Sequence, residues 1–153
     1  MPILYYESEI GRLALKEIDG KITNIYFTYE QLPEDAEVCE TPLLLEAIKQ
    51  LESYFKGTLR EFALPLEPNG TEFMKQVWAA LCEIPYGKTA SYGDIAEKVG
   101  RPKAARAVGL ANNRNPIPII IPCHRVIGAN GSLTGYAGGL DVKKKLLDLE
   151  KIK

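Results

Sequence analysis

Histidine is almost missing from this chain: His124 stands alone among 153 residues. Cysteine is scarce as well, and Cys39, Cys82 and Cys123 fall at unrelated spacings with no CxxC pair. One imidazole and three scattered thiols exclude a disulfide framework and leave too few ligands for a structural zinc site, so no metal and no cofactor is expected. Long apolar runs are absent too. No stretch approaches the roughly 20 residues of a membrane-crossing helix, and no basic-then-apolar leader opens the sequence. An intracellular, cytoplasmic protein with no membrane partner is therefore expected. Nor does either sign of charge dominate, since the net charge is −1. With 46% hydrophobic and 25% charged residues, the chain has the composition of a globular protein, one ordinary domain or a small lobe beside a larger one.

What the chain does have is one chemically odd stretch, Asn115-Pro-Ile-Pro-Ile-Ile-Ile-Pro122-Cys123-His124-Arg125-Val126. Three prolines in seven residues (Pro116, Pro118, Pro122) remove backbone donors and fix φ, which predicts a stiff, partly irregular extended segment. The run Ile119-Ile120-Ile121 predicts that the segment is buried, so that Cys123 emerges from the core at a fixed position beside the only imidazole. A thiol next to a base is a candidate nucleophile, because the thiolate is the reactive form. Free cysteines are also common packing residues, and neighbours on a strand point to opposite faces, so plain packing stays open at this point.

The charge is unevenly spread. From residue 86 to 125 there are seven basic side chains (Lys88, Lys98, Arg101, Lys103, Arg106, Arg114, Arg125) and two acidic ones (Asp94, Glu97), a local +5 that leaves −6 elsewhere. A basic surface on a mildly acidic protein suits salt-sensitive phosphate binding, and each charge taken singly is also consistent with a solvated face.

Residues 3–6, 13–18 and 21–27 read as strands, with Asp19-Gly20 as a two-residue hairpin turn. Thr41-Pro42 predicts a helix start, Leu44, Leu45, Ile48, Leu51, Tyr54 and Phe55 its apolar stripe, and Gly57 its end. Around residues 64–70 a Pro/Asn/Gly-rich stretch marks a boundary. A helix over 71–83 follows, in which Trp78 reads as core rather than as a base-stacking platform. Ser91 with Asp94 is a capping signature, and Gly100-Arg101-Pro102 separates two short helices, the second rich in alanine. Two short helices, a tight turn and overlying cations predict a helix-turn-helix. Small side chains let such a helix approach a duplex closely, and Arg106 is long enough to enter it. A glycine-rich loop (135–139) leads into a last helix over 140–151 with Leu146, Leu147 and Leu149 inward. The expected class is mixed α/β of the α+β kind: a small β-sheet lobe with a helix (1–66), then a mainly helical domain (67–153) containing the helix-turn-helix.

Pro122-Cys123-His124-Arg125-Val126, preceded by Asn115-Pro116 and the apolar run, resembles the active-site segment of the O6-alkylguanine-DNA alkyltransferases, and the resemblance runs from about residue 73 to 150. It implies transfer of an alkyl group from guanine O6 in double-stranded DNA to the sulfur of Cys123, once per molecule. His124 is then the base, acting through a water, and Glu150 the carboxylate that orients it. Tyr92 is implied as the donor to guanine N3. Tyr136 and Ala137 form the pocket wall and a backbone N–H to O6, while the carbonyls of Cys123 and Val126 accept from the exocyclic amine. Asn115 braces the nucleophile loop, and Pro118 near the pocket narrows it.

On the duplex side, the resemblance places the second helix in the minor groove, with Arg106 replacing the extruded base. Ser91, Arg101, Lys103, Ala105, Arg114 and Arg125 complete the implied DNA contacts. Arg101 departs from the family pattern, because it stands where a short polar helix cap is expected. Some relatives carry zinc, for which this chain lacks ligands. A monomer is expected. Two other readings stay open: a lesion-sensing DNA-binding module in which Cys123 only packs, and a cysteine hydrolase.

Overall fold

The computed structural model describes residues 1–136 and 138–151. They fall into two units, Met1–Asn69 and Gly70–Lys153.

The first unit is built on an antiparallel meander of β1 (Pro2–Ser8), β2 (Gly11–Ile18) and β3 (Lys21–Phe27). The turn between β2 and β3 needs positive φ at both central residues, and Asp19 (φ 50°) and Gly20 (φ 77°) supply it. A short β4 (Glu37–Val38), not foreseen from sequence, joins β1 in parallel and completes the order β3-β2-β1-β4. Helix α1 (Pro42–Phe55) begins as expected: the Thr41 hydroxyl accepts from the Leu44 amide, and Pro42 occupies the first turn. Leu44, Ala47, Leu51 and Tyr54 on α1 are fully buried with Leu13, Leu15 and Ile22 of the sheet.

The second unit contains α2 (Glu72–Leu81), β5 (Ala90–Ser91), α3 (Tyr92–Lys98), α4 (Ala105–Asn113), a 3-10 turn (Cys123–Arg125), β6 (Val126–Ile127) and α5 (Leu140–Leu149). Trp78 is core: it is buried, and its indole Nε1 donates to the Ala111 carbonyl at 2.9 Å, tying α2 to α4. Helix α3 opens with a complete capping box, Ser91 and Asp94 each accepting from the other's backbone amide. The two short strands pair in parallel, Ala90 with Val126 and Ser91 with Ile127. This pairing sets the start of α3, and so Tyr92, beside the end of the Cys123 turn.

Two sequence expectations change here. The N-cap of α4 is Ala104, without a side-chain cap bond, and not Arg101. Arg101 lies in the preceding turn, where its backbone bonds Ala96 and its guanidinium sits 5.4 Å from the centre of the Phe73 ring. On α5 the buried positions are Lys143 and Leu146, followed by Glu150 at its C-cap, while Leu147 and Leu149 are half-exposed. Spacing of 3 and 4 residues puts these three on one face, and a lysine holds a position that leucines were expected to fill. Among the described residues, no helix is long and apolar enough to cross a membrane.

Candidate active site

The segment expected to be extended instead turns twice. Proline cannot donate, so closure relies on two three-residue turns, on the Ile121 amide bonded to the Ile117 carbonyl at 2.9 Å, and on Asn115. The first turn centres on Ile119 (φ 74°), with the Ile120 amide bonded to the Pro118 carbonyl at 2.9 Å. Positive φ at a β-branched residue is strained, and it persists because Ile117, Ile119, Ile120 and Ile121 are all buried around it. The second centres on Pro122 (φ −80°, ψ 64°), an inverse γ-turn that suits the fixed φ of proline, with the Cys123 amide bonded to the Ile121 carbonyl at 2.8 Å. The Asn115 side chain clamps the loop, donating to the Ile121 carbonyl (2.8 Å) and accepting from the Ile117 amide (2.9 Å). Pro118 is buried inside it.

Directly after Pro122 the backbone enters the 3-10 turn, so strand alternation does not apply. Cys123, His124 and Arg125 are all buried. His124 Nε2 lies 2.6 Å from Glu150 Oε2. The same carboxylate accepts from Arg125 Nε (2.7 Å) and from a terminal guanidinium nitrogen (3.1 Å), and the other terminal nitrogen donates to the Ile84 carbonyl at 2.7 Å. A carboxylate held by a guanidinium stays ionised, so Nε2 carries the proton that it accepts and Nδ1 keeps the lone pair. Nδ1 has no protein partner among the described residues. Burial lowers the His124 pKa, against the pull of Glu150, so the imidazole rests as a neutral base.

The thiol rests protonated. Burial pushes Cys123 up to about 11, while Asn115, the charge of Lys143, its own backbone and the Tyr136 hydroxyl pull the other way. A nucleophile of this kind must be deprotonated in place during the reaction.

Lys143 was missed from the sequence. Its ammonium is fully buried and donates to the carbonyls of Val126 (2.5 Å) and Thr134 (2.7 Å), and burial lowers its pKa. Asn112 was missed as well; buried on α4, it donates to the Cys123 carbonyl at 3.3 Å. No local signal marks either, since each reads as an ordinary helix residue. The Cys123 carbonyl thus already accepts from Asn112 and from the Val126 amide, while the Val126 carbonyl accepts from Lys143 and keeps a second lone pair. The Tyr92 hydroxyl meets Thr134 Oγ1 at 2.9 Å and the Thr134 carbonyl at 3.3 Å. Tyr136 is half-buried at the Cys123 sulfur, and Ala137 lies outside the described residues.

Of the implied DNA contacts, Arg101, Lys103, Arg106 and Arg114 are exposed on the turn before α4 and on α4 and its C-cap, and Ala105 and Ser91 are half-exposed beside them. Arg125 is not a surface cation. It is 6% exposed, bonded to Glu150 and Ile84, with the Tyr86 ring 5.8 Å from its guanidinium carbon. Its place in the basic stretch and the family resemblance implied a DNA contact, but the 3-10 turn points it inward.

Two family models match, the DNA binding domain of 6-O-methylguanine DNA methyltransferase over residues 72–152 and the ribonuclease-like domain of the same family over residues 3–68. A methylated-DNA–protein-cysteine methyltransferase of Methanosarcina acetivorans is 69% identical over 149 residues, 95% of each chain. One from Mycobacterium leprae is 54% identical, covering 95% of this chain and 89% of its own. The crystal structure of Mycobacterium tuberculosis OGT in complex with DNA superposes with a TM-score of 0.93 at 47% identity, covering 99% of this chain and 93% of that one.

Proposed function

The chain belongs to the 6-O-methylguanine DNA methyltransferase family, and on that footing we propose that it repairs double-stranded DNA by moving the alkyl group of O6-alkylguanine onto Cys123. One observation carries the assignment of the acceptor: Cys123 is a buried thiol beside a neutral imidazole whose other nitrogen is fixed on Glu150.

In the step itself, His124 Nδ1 takes the thiol proton through a water, and the sulfur attacks the alkyl carbon. The S–C bond forms as the C–O6 bond breaks, and the electron pair of that bond passes to the guanine. The imidazolium that results is stabilised by Glu150, which Arg125 holds in place. The Tyr92 hydroxyl can accept from the Thr134 hydroxyl while giving its own hydrogen to guanine N3, where negative charge develops as O6 leaves. Asn115 and Tyr136 favour the thiolate as it forms. The Val126 carbonyl orients the exocyclic amine with its remaining lone pair, whereas the Cys123 carbonyl is already engaged by Asn112 and the Val126 amide.

O6 sits inside the base stack, so the nucleotide has to be rotated out at a cost of a few kcal/mol. Arg106, exposed on α4, fills the space it leaves, and Arg101, Lys103 and Arg114 hold phosphates on either side. Arg101 is steadied for this by the Phe73 ring. The product is a thioether, which water does not cleave at neutral pH, so each molecule acts once.

The test is mass spectrometry after mixing with duplex DNA carrying O6-methylguanine. One methyl mass on the peptide containing Cys123, with one equivalent of DNA repaired, is expected. Binding without mass gain would make the chain a lesion-binding module. Turnover, or methyl on Cys39 or Cys82, would equally defeat the proposal.

A further inference from the structure

We propose that Leu110 is an apolar wedge that α4 presses into the minor groove one helical turn from Arg106, an assignment that rests on the DNA-repair reading above. Leu110 is 53% exposed, although it lies within a helix whose other large aliphatic residue, Val108, is fully buried. It follows Arg106 by four residues and precedes Arg114 by four, so the three form a single ridge along the helix. Ala107, exposed and three residues before Leu110, lies on the same side, and Lys103 is exposed in the turn just before the helix. The opposite side, Val108, Ala111 and Asn112, is buried in the unit.

The occupant of this face follows from its chemistry. Two cations flanking one aliphatic side chain, with Lys103 exposed in the turn before the helix, match a polyanion that also offers an apolar floor. The minor groove has both, phosphates on its rims and the sugar and base edges between them. A protein partner recognised through apolar contact calls for a broader patch than one leucine. Minor-groove proteins use leucine in this way, easing a base step apart so that bent or opened DNA covers more protein surface. Set one turn from Arg106, Leu110 reaches the step next to the extruded nucleotide, and widens the groove where Arg106 must enter. Ala107, on the same exposed side, leaves room for the groove walls.

Binding is best read in a Cys123→Ser background on duplex DNA carrying O6-methylguanine, so that no reaction intervenes. Covering the exposed half of a leucine corresponds to roughly a fivefold to tenfold gain in affinity. Leu110→Ala is therefore expected to weaken binding by that factor while leaving the slope of log affinity against log salt unchanged, because no counterion is released. Arg114→Gln is expected to weaken binding and to lower that slope by about one. With Cys123 restored, Leu110→Ala should slow repair of the duplex but not reaction with free O6-benzylguanine, keep the wild-type thermal midpoint, and be rescued by Leu110→Met. Affinity within twofold of wild type, a changed salt slope, or equal slowing on the free base each overturns the proposal. Failure of the wild-type protein to gain a methyl group overturns the repair reading instead, and the binding comparison still decides the role of Leu110.

Discussion

The raised pKa of Cys123 makes stability itself a readout of the site. Burial moves the thiol from its ordinary value of 9.0 to about 11 in the folded protein. A raised folded-state value means that folding favours the protonated form. That contribution is fully present below pH 9 and is lost as pH rises through 11. A rise of that size corresponds to roughly 3 kcal/mol, because each tenfold change in proton affinity is worth about 1.4 kcal/mol. Against total stabilities of about 5–15 kcal/mol the loss is large. Serine at this position does not titrate in the window and is close in size. The comparison is therefore urea unfolding of the wild type and of Cys123→Ser at a series of pH values from 8 to 11. Trp78 is the only tryptophan and is buried in the same unit as Cys123, so its fluorescence follows the relevant transition. With slopes of about 1–3 kcal/mol per molar urea, the wild-type midpoint should fall by on the order of 1 M or more relative to the variant between pH 9 and 11. Titrating groups away from the thiol shift both proteins alike and cancel in the difference, while Lys143, whose charge is coupled to the thiol, stays within it. Parallel curves would show that the folded-state thiol is not raised, and the in-place deprotonation argued above would lose its basis.

Three further substitutions have expected outcomes. Arg106→Ala should slow repair of duplex DNA by a factor reflecting the few kcal/mol of unstacking, and leave reaction with the free base O6-benzylguanine nearly unchanged; equal slowing of both would assign Arg106 to the fold or pocket. Lys143→Met removes two charge-assisted bonds and leaves the carbonyls of Val126 and Thr134 short of a donor, so a loss of about 2–5 kcal/mol in chemical denaturation is expected. The same change removes a charge that lowers the Cys123 pKa, so the alkaline limb of the pH–rate profile for free-base reaction should move upward; an unmoved limb would reject that coupling. Arg125→Gln leaves Glu150 short of its bidentate partner in the interior and should cost about 3–5 kcal/mol of stability, whereas a surface role in DNA binding predicts wild-type stability and weaker binding.

Several features that depend on a few neighbouring residues were legible in the sequence. Positive φ at Asp19 and Gly20, the Thr41 cap with Pro42 behind it, and the reciprocal Ser91–Asp94 bonds are local solutions, each spanning four residues or fewer, and all three stand in the structure. The order of elements around the Cys123 segment was legible for the same reason, as was the mixed fold class. What local rules could not carry was direction. The prolines before Cys123 pointed to stiffness, yet only the packing of four isoleucines offsets the strain of positive φ at Ile119 and turns that stiffness into a loop clamped by Asn115. Arg125 looked like one more basic residue in a basic stretch, until the 3-10 turn aimed it at Glu150, 25 residues away in sequence. Lys143 falls in a run of three lysines that reads as solvated helix surface. Its burial follows from how α5 lies against the Cys123 turn, where the carbonyls of Val126 and Thr134 offer an ammonium the partners it needs to leave water. The parallel pairing of Ala90–Ser91 with Val126–Ile127, two residues on each side and more than thirty apart in the chain, brings Tyr92 alongside the cysteine segment. Such contacts are chosen by the closing of the whole core, whose energy is summed over residues far apart in sequence, and so no single window of the chain contains them.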